Sequence, residues 1–167
     1  MRSRMAPHLS IDRTQRGTGR QSLNLILEST TENTSVAASR VVQFARRLGY
    51  SKPQCQDIEL AVREVVANAI LHGNHCNCNK HVLVTARSRT AGLVICIQDE
   101  GEGFDPASVP DPLKAEGIEQ ESGRGLLLIN AYMDEVVWRR SPGGMEVTLT
   151  KYPARRRAAS GRRSQEA

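Results

Sequence analysis

Asp57-Ile-Glu-Leu-Ala-Val-Arg-Glu-Val-Val-Ala-Asn-Ala-Ile-Leu-His72 decides how the rest of the chain is read. Ile58, Ala61, Val62, Val65, Ala69 and Ile70 recur at intervals of three and four, the period of a helix with one face in a core. Ser51 is placed to cap this helix, and Pro53 falls in its first turn, where a missing N–H costs nothing. The helix runs to about Leu71, and Gly73 stops it. Glu64, Asn68 and His72 recur at spacing four, so they line one side of the same helix. Asparagine in mid-helix works against helix formation, so Asn68 needs a reason outside the helix. One such reason is a Mg²⁺–triphosphate site. There the amide oxygen is a hard metal ligand, and a carboxylate one turn earlier accepts a proton from an attacking hydroxyl or water. The alternative is a solvated Glu–Asn pair followed by a histidine favoured by the helix dipole. The helix alone leaves both open.

Outward from this helix the elements fall into place. Ser22–Glu28 alternates as a strand does, and Ser35–Leu48 has an apolar face of Val36, Ala37, Val41, Phe44, Ala45 and Leu48. Thr34 or a neighbouring polar residue is the expected cap of that helix, and Gly49 ends it. Downstream, His81–Ser88 and Leu93–Gln98 are β-rich and separated by Thr90-Ala-Gly92, which predicts a hairpin. A long Gly-, Pro- and acid-rich loop runs from Asp99 to Ser122, then a short helix over Gly125–Met133. Glu135–Arg140 and Met145–Tyr152 close the chain as a hairpin across Ser141-Pro-Gly-Gly144. The order β-α-α-β-β-loop-α-β-β predicts an α+β fold, with helices on one face of a mixed, mostly antiparallel sheet. No internal repeat is present.

Two glycine motifs flank the long loop. In Asp99-Glu-Gly-Glu-Gly103, Gly101 and Gly103 let the backbone approach a ligand closely. Asp99, at a strand end, is placed to accept hydrogen bonds from an exocyclic amine such as that of adenine. In Ser122-Gly-Arg-Gly125, two glycines open a helix whose free N–H groups suit phosphate, and Arg124 adds a guanidinium. The spacing is not that of a P-loop, and no strand-linked G-x-G-x-x-G for a dinucleotide occurs. Leu126, Leu127, Leu128 and Ile129 are expected to fill the core.

Glu64-x3-Asn68, Asp99-x-Gly101-x-Gly103 and Gly123-x-Gly125, in that order, resemble the N, G1 and G2 boxes of the GHKL (Bergerat-fold) ATPases. Glu59–Gly73, Met133-Asp-Glu-Val136 and Ser141-Pro-Gly-Gly144 look like the small anti-sigma-factor serine/threonine kinases of that superfamily. The resemblance spans roughly residues 22–152 and implies a two-layer α/β sandwich of Bergerat, or histidine-kinase-like ATPase, type. It implies that Glu64 is the catalytic base, that Asn68 holds Mg²⁺, and that Asp99, with Gly101 and Gly103, reads adenine. It places Gly123, Arg124 and Gly125 at the phosphates of ATP, with Arg124 also serving catalysis, and makes the loop to Ser122 an ATP lid. It further implies phosphotransfer to a serine of a small anti-sigma-factor antagonist, sequestration of a sigma factor, and assembly as a homodimer. Glu121 departs from the pattern, since some kinases of the family carry an arginine there. That departure keeps a second function open: a nucleotide-controlled protein-binding module without significant phosphotransfer.

The bulk composition sets the frame for these motifs. With 167 residues, 39% of them hydrophobic, the chain fits one globular domain. It has no apolar run of the roughly 20 residues that span a bilayer, and no secretory signal is recognisable. The expectation is a soluble cytoplasmic protein with no membrane partner. Its net charge of +5 is unevenly distributed: residues 1–21 carry five Arg and one Asp, and residues 151–167 carry six Lys+Arg and one Glu. That leaves 12 basic and 16 acidic residues between positions 22 and 150, a body near −4. Residues 1–21 and 153–167 are therefore expected to be disordered basic tails around a domain at 22–152. So few aromatics are present that nucleic acid is not the expected partner. His72, His75, Cys76, Cys78 and His81 put five potential zinc ligands within ten residues. The C-x-C gap is tighter than zinc sites ordinarily use, and a metal-free loop is the preferred reading.

Overall fold

A computed structural model describes residues 21–102 and 121–154, with the side chains of residues 121–124 outside that description. The elements are β1 (Ser22–Glu28), α1 (Glu32–Arg47), α2 (Lys52–Asn68), a π-turn (Ala69–Gly73), β2 (His81–Ser88), β3 (Leu93–Gln98), α3 (Glu121–Tyr132), β4 (Glu135–Ser141) and β5 (Gly144–Lys151). The predicted tails fall almost wholly outside the described residues, as does the loop expected to form the lid.

The strands form one sheet in the order β1-β2-β3-β5-β4, and all four pairings are antiparallel. The expected parallel component is therefore not found among the described residues. The physical reason is the helix pair between β1 and β2. An up-and-down pair returns the chain to the end it left, so Glu28 pairs with His81. Alternate residues of the strands are buried: Leu23, Leu25 and Leu27; Val82, Val84 and Ala86; Leu93, Ile95 and Ile97; Val147 and Leu149. They meet Val41 and Phe44 of α1 and Ile58, Val62 and Val65 of α2 in one core. On the opposite face Asn24, Thr85, Cys96 and Thr148 stand in register and remain partly exposed. Helices thus cover one face of the sheet, as expected for an α+β sandwich.

Three helix boundaries differ from expectation. α1 begins at Glu32, with Thr34 inside it and no side-chain cap at Thr31. The first turn is anchored instead by buried Asn33, whose Nδ2 donates to Glu28 O at 2.8 Å. α2 has the expected cap: Ser51 accepts from Gln54 N, and Gln54 Oε1 accepts from Ser51 N at 3.2 Å. Its regular ladder ends at Asn68, however, and the last turn widens, with Asn74 N donating to Ala69 O at 2.8 Å. α3 begins at Glu121, four residues before the predicted start. The Leu126–Ile129 run is not uniformly core: Ile129 is fully buried, while Leu128 is 45% exposed. Four successive residues on a helix sweep right round it, so they cannot share one face.

The ends of the elements are tied by a polar strut. Lys151 is only 2% exposed, and its Nζ donates to Asp57 Oδ2 at 2.7 Å and to the Tyr132 carbonyl. One residue of β5 thereby joins the start of α2 to the end of α3. Tyr50 completes the strut, its hydroxyl donating to Lys151 O at 2.7 Å and accepting from Leu93 N at 2.8 Å. Burial pushes the Tyr50 phenol above its ordinary value.

Candidate functional site

The site is built on the last two turns of α2. Glu64 and Asn68 lie one turn apart, both partly exposed on the edge of a helix whose other face is core. The π-turn begins immediately after Asn68. Single π-turns inside α-helices recur at functional sites, because the extra residue rotates the remainder of the helix. Here it carries the chain to Gly73, which lies against Asp99.

Asp99 lies just past the end of β3 in a buried position, 5% exposed. Its Oδ1 accepts from Gly101 N at 2.8 Å and Met145 N at 3.0 Å, which fixes the carboxylate plane. Oδ2 accepts no hydrogen bond from any described residue, and it points towards Gly73. A Cβ on Gly73 would stand 2.4 Å from Oδ2, and one on Gly101 would stand 2.2 Å from Gly73 O. Gly144, at φ +145°, packs against the far side, where a Cβ would meet Asp99 O at 2.1 Å. Three glycines from three segments therefore enclose one carboxylate. Buried Asn74 locks the assembly: its Nδ2 donates to Ser29 Oγ at 2.7 Å and His81 O at 2.9 Å, and its Oδ1 accepts from Glu100 N at 2.8 Å.

At the other end of the ridge α3 crosses α2 beside Glu64. A Cβ on Gly125 would lie 2.1 Å from Glu64 Oε1, so any larger residue there would displace the Glu64 carboxylate. The sequence places Gly125 in a phosphate-contacting turn. In the structure it is the fifth residue of α3, beyond the first turn, whose amides alone lack partners in the helix ladder. What Gly125 supplies here is room for the carboxylate. Gly123 and Arg124 lie in the first turn of α3, and the Arg124 side chain is outside the described set, as is all of Gly103.

Glu64, Asn68, Asp99, Gly101 and Gly125 are thus brought to one ridge, with positions 64 and 73 separated by about 14 Å along the helix axis. The arrangement offers a fixed acceptor at one end and a carboxylate–amide pair at the other. The amide oxygen of Asn68 is a hard donor that fits Mg²⁺ sharing its other positions with water and phosphate. Gly73, Asn74, Gly144 and Met145 were not singled out for the site from sequence. The one legible signal was the close spacing of small residues in Ser141-Pro-Gly-Gly144. His72, His75, Cys76 and Cys78 are exposed, and no three His, Cys, Asp or Glu side chains converge as metal ligands among the described residues. His81 instead faces Glu100, with its backbone N–H donating to Glu100 Oε2 at 2.6 Å.

Comparison with known proteins bears on the same elements. Residues 27–151 match the family described as Histidine kinase-like ATPase domain. The chain is 34% identical over 140 residues to the Anti-sigma F factor of Thermoanaerobacter sp. (strain X514), covering 81% of this chain and 94% of that protein. It is 30% identical over 139 residues to the Anti-sigma F factor of Bacillus velezensis, covering 81% and 95%. Among solved structures, the RsbU and RsbW domains of Rv1364c from Mycobacterium tuberculosis superpose with a TM-score of 0.56 at 20% identity. That match covers 78% of this chain and 32% of the other, so this chain spans about a third of that protein. The histidine kinase domain from Erythrobacter litoralis EL346 blue-light activated histidine kinase gives a TM-score of 0.51 at 15% identity over 77% of this chain and 65% of that one. Both structural matches show the fold of the sandwich.

Proposed function

The chain belongs to the histidine kinase-like ATPase family, among relatives named Anti-sigma F factor, and from that premise we propose a specific activity. The protein is an ATP-dependent serine/threonine kinase and anti-sigma factor that phosphorylates a small antagonist protein and sequesters a sigma factor. The observation that carries this reading is the single ridge on which Glu64 and Asn68 run into an Asp99 carboxylate clamped by Gly73, Gly101 and Gly144. The names of the relatives supply the partner class.

In this reading each residue has a separate task. Asp99 Oδ1 is committed to backbone N–H groups, so Oδ2 accepts from the exocyclic amine of adenine. Gly101 and Gly103 let the backbone lie close to the base. Asn68 contributes its amide oxygen to Mg²⁺, which when bound offsets the charge of the phosphates. Gly123, at the start of α3, and Arg124 hold the phosphate end by backbone N–H and guanidinium. Glu64, with its position set by Gly125, accepts the proton of the substrate serine hydroxyl. Homodimer formation and a cytoplasmic location belong to the same proposal. No helix among the described residues is long and apolar enough to cross a membrane.

Calorimetric titration with Mg·ATP tests the pocket, and transfer of labelled phosphate to candidate antagonist proteins tests the chemistry. Asn68→Ala is expected to remove Mg²⁺-dependent binding. Glu64→Ala is expected to bind ATP within a few-fold of wild type while transfer falls by roughly 10²-fold or more. Undiminished transfer by Glu64→Ala would refute the assignment of the base. Light scattering of the purified protein tests the dimer.

A further inference from the structure

The loop Asn74–Lys80 carries two exposed thiols, Cys76 and Cys78, separated by one residue. They differ from the other two cysteines. Cys55 is buried and Cys96 partly so, and burial pushes both thiols above their ordinary value, which disfavours the reactive thiolate. The exposed pair sits on a segment wired directly into the Asp99 turn. Cys76 N donates to Ile70 O at 2.8 Å, inside the π-turn. Two residues earlier, Asn74 holds the ends of β1 and β2 and the Glu100 amide.

The backbone turns on either side of Asn77. Asn77 N donates to Asn74 O at 3.1 Å and Lys80 N to Asn77 O at 2.9 Å, so the chain turns twice within seven residues. His75 and Cys76 both lie at φ 53°, a conformation that L-residues other than glycine seldom adopt. Even fully extended, the Cα atoms of residues 76 and 78 are at most about 7 Å apart. That limit lies just above the roughly 4.4–6.8 Å over which a disulfide forms, so a small change of backbone torsion at Asn77 is enough to close the bond.

We propose that Cys76 and Cys78 form a thiol–disulfide exchange site for low-molecular-weight disulfides of the glutathione class, and that closing the Cys76–Cys78 bond loosens the Asp99 turn. The step is balanced. One cysteine thiolate attacks a sulfur of the small disulfide and expels one thiolate. The second cysteine thiolate attacks the mixed disulfide and expels the other. A protein S–S bond forms, the small disulfide bond breaks, and two electrons and two protons pass to two small thiols. Linking the two sulfurs across one residue resets the backbone torsions at Asn77 and on either side of it. The Cys76 N–H to Ile70 bond and the Asn74 junction then both shift. Because Asn74 Oδ1 holds the Glu100 amide, the effect arrives beside Asp99.

The last consequence, weaker nucleotide binding, rests on the ATP-binding reading; disulfide formation and loosening of the turn do not. The test equilibrates the full chain in glutathione redox buffers. Mass spectrometry of peptides gives the disulfide, and amide hydrogen exchange gives protection at Glu100–Gly101. Oxidation is expected to join Cys76 to Cys78 within one chain and to speed exchange at Glu100 and Gly101. In protein that binds Mg·ATP when reduced, oxidation is expected to weaken that binding about fivefold or more. The Cys76→Ser/Cys78→Ser protein is expected to bind and exchange alike in every buffer. Thiols that stay free, chains that cross-link to one another, or an internal disulfide that leaves Glu100–Gly101 exchange unchanged would each overturn the proposal. If the reduced protein binds no ATP, the kinase reading fails, and the exchange measurement still decides this one.

Discussion

At the residue scale the site depends on what glycine omits. Gly73 lies in the π-turn, where alanine would ordinarily favour helical backbone by about 1 kcal/mol. The added methyl would stand 2.4 Å from Asp99 Oδ2, so the clash and the propensity oppose each other, and the clash falls on the acceptor itself. Gly73→Ala is therefore expected to weaken Mg·ATP binding at least tenfold by calorimetry, a loss of about 1.4 kcal/mol. Gly143→Ala is the matched control: nothing lies within 4 Å of its Cβ position, and binding is expected to stay unchanged. A Gly73→Ala protein that binds normally would mean Oδ2 does not face the ligand. Gly125 offers a test that separates binding from chemistry. Its methyl would meet Glu64 Oε1 at 2.1 Å, a contact relieved by turning the carboxylate aside. Gly125→Ala is expected to keep ATP affinity within a few-fold and to lose phosphotransfer by about 10²-fold, the worth of a positioned base. Equal losses in binding and transfer would assign Gly125 to the phosphates instead.

At the scale of elements, the strut at Lys151 decides how α2 and α3 are held to the sheet. A lysine this buried is costly unless its charge is matched, and here Asp57 and the Tyr132 carbonyl match it. The carboxylate of Asp57 keeps 32% of its surface, so it can be rehydrated when its partner is removed. The penalty for breaking the pair therefore falls at or below the lower end of the usual range of roughly 3–5 kcal/mol for buried pairs, at about 2–3 kcal/mol. Lys151→Met keeps most of the buried volume and is expected to cost about that much in urea unfolding. Lys151→Ala adds a cavity and is expected to cost more. A Lys151→Met protein as stable as wild type would show that the ion pair contributes nothing net. The Lys151 side chain sets the end of α3, while Glu64 meets the start of that helix. Loss of the strut is accordingly expected to lower phosphotransfer more than ATP binding, which a comparison of the two assays on Lys151→Met will show.

At the scale of the whole molecule, what was legible in the sequence was what is decided locally. β1, β2 and β3 lie where alternation placed them, because burying one face of a strand needs only a period of two. The Ser51 cap was legible for the same reason, being complete within four residues. The start of α1 was not, because Asn33 reaches back to the end of β1. Glu64, Asn68 and Asp99 could be picked out as candidates by type and spacing. Their enclosure did not, since Gly144 and Met145 reach Asp99 only through the β3–β5 register, 46 residues along the chain for Met145. The same long-range closure makes alkaline pH a probe of the folded whole. Tyr50 joins β3 to β5 and is raised above its ordinary value of 10.0, so the native state holds a proton that the unfolded chain releases. The native state then binds more protons, and stability falls as pH rises. The contribution is fully present below about pH 10 and disappears as pH passes the raised value. Cys55 and Cys96 act with the same sign from their ordinary value of 9.0. Tyr50→Phe leaves the Leu93 amide without its acceptor, so it is expected to cost about 1–3 kcal/mol at neutral pH. Above about pH 10 the gap between variant and wild type is expected to narrow, because the variant has no phenol to ionise. Urea midpoints of both proteins from about pH 7 to 11 measure that gap directly, and a gap that is constant or widens would rule out Tyr50 as a half-buried neutral phenol.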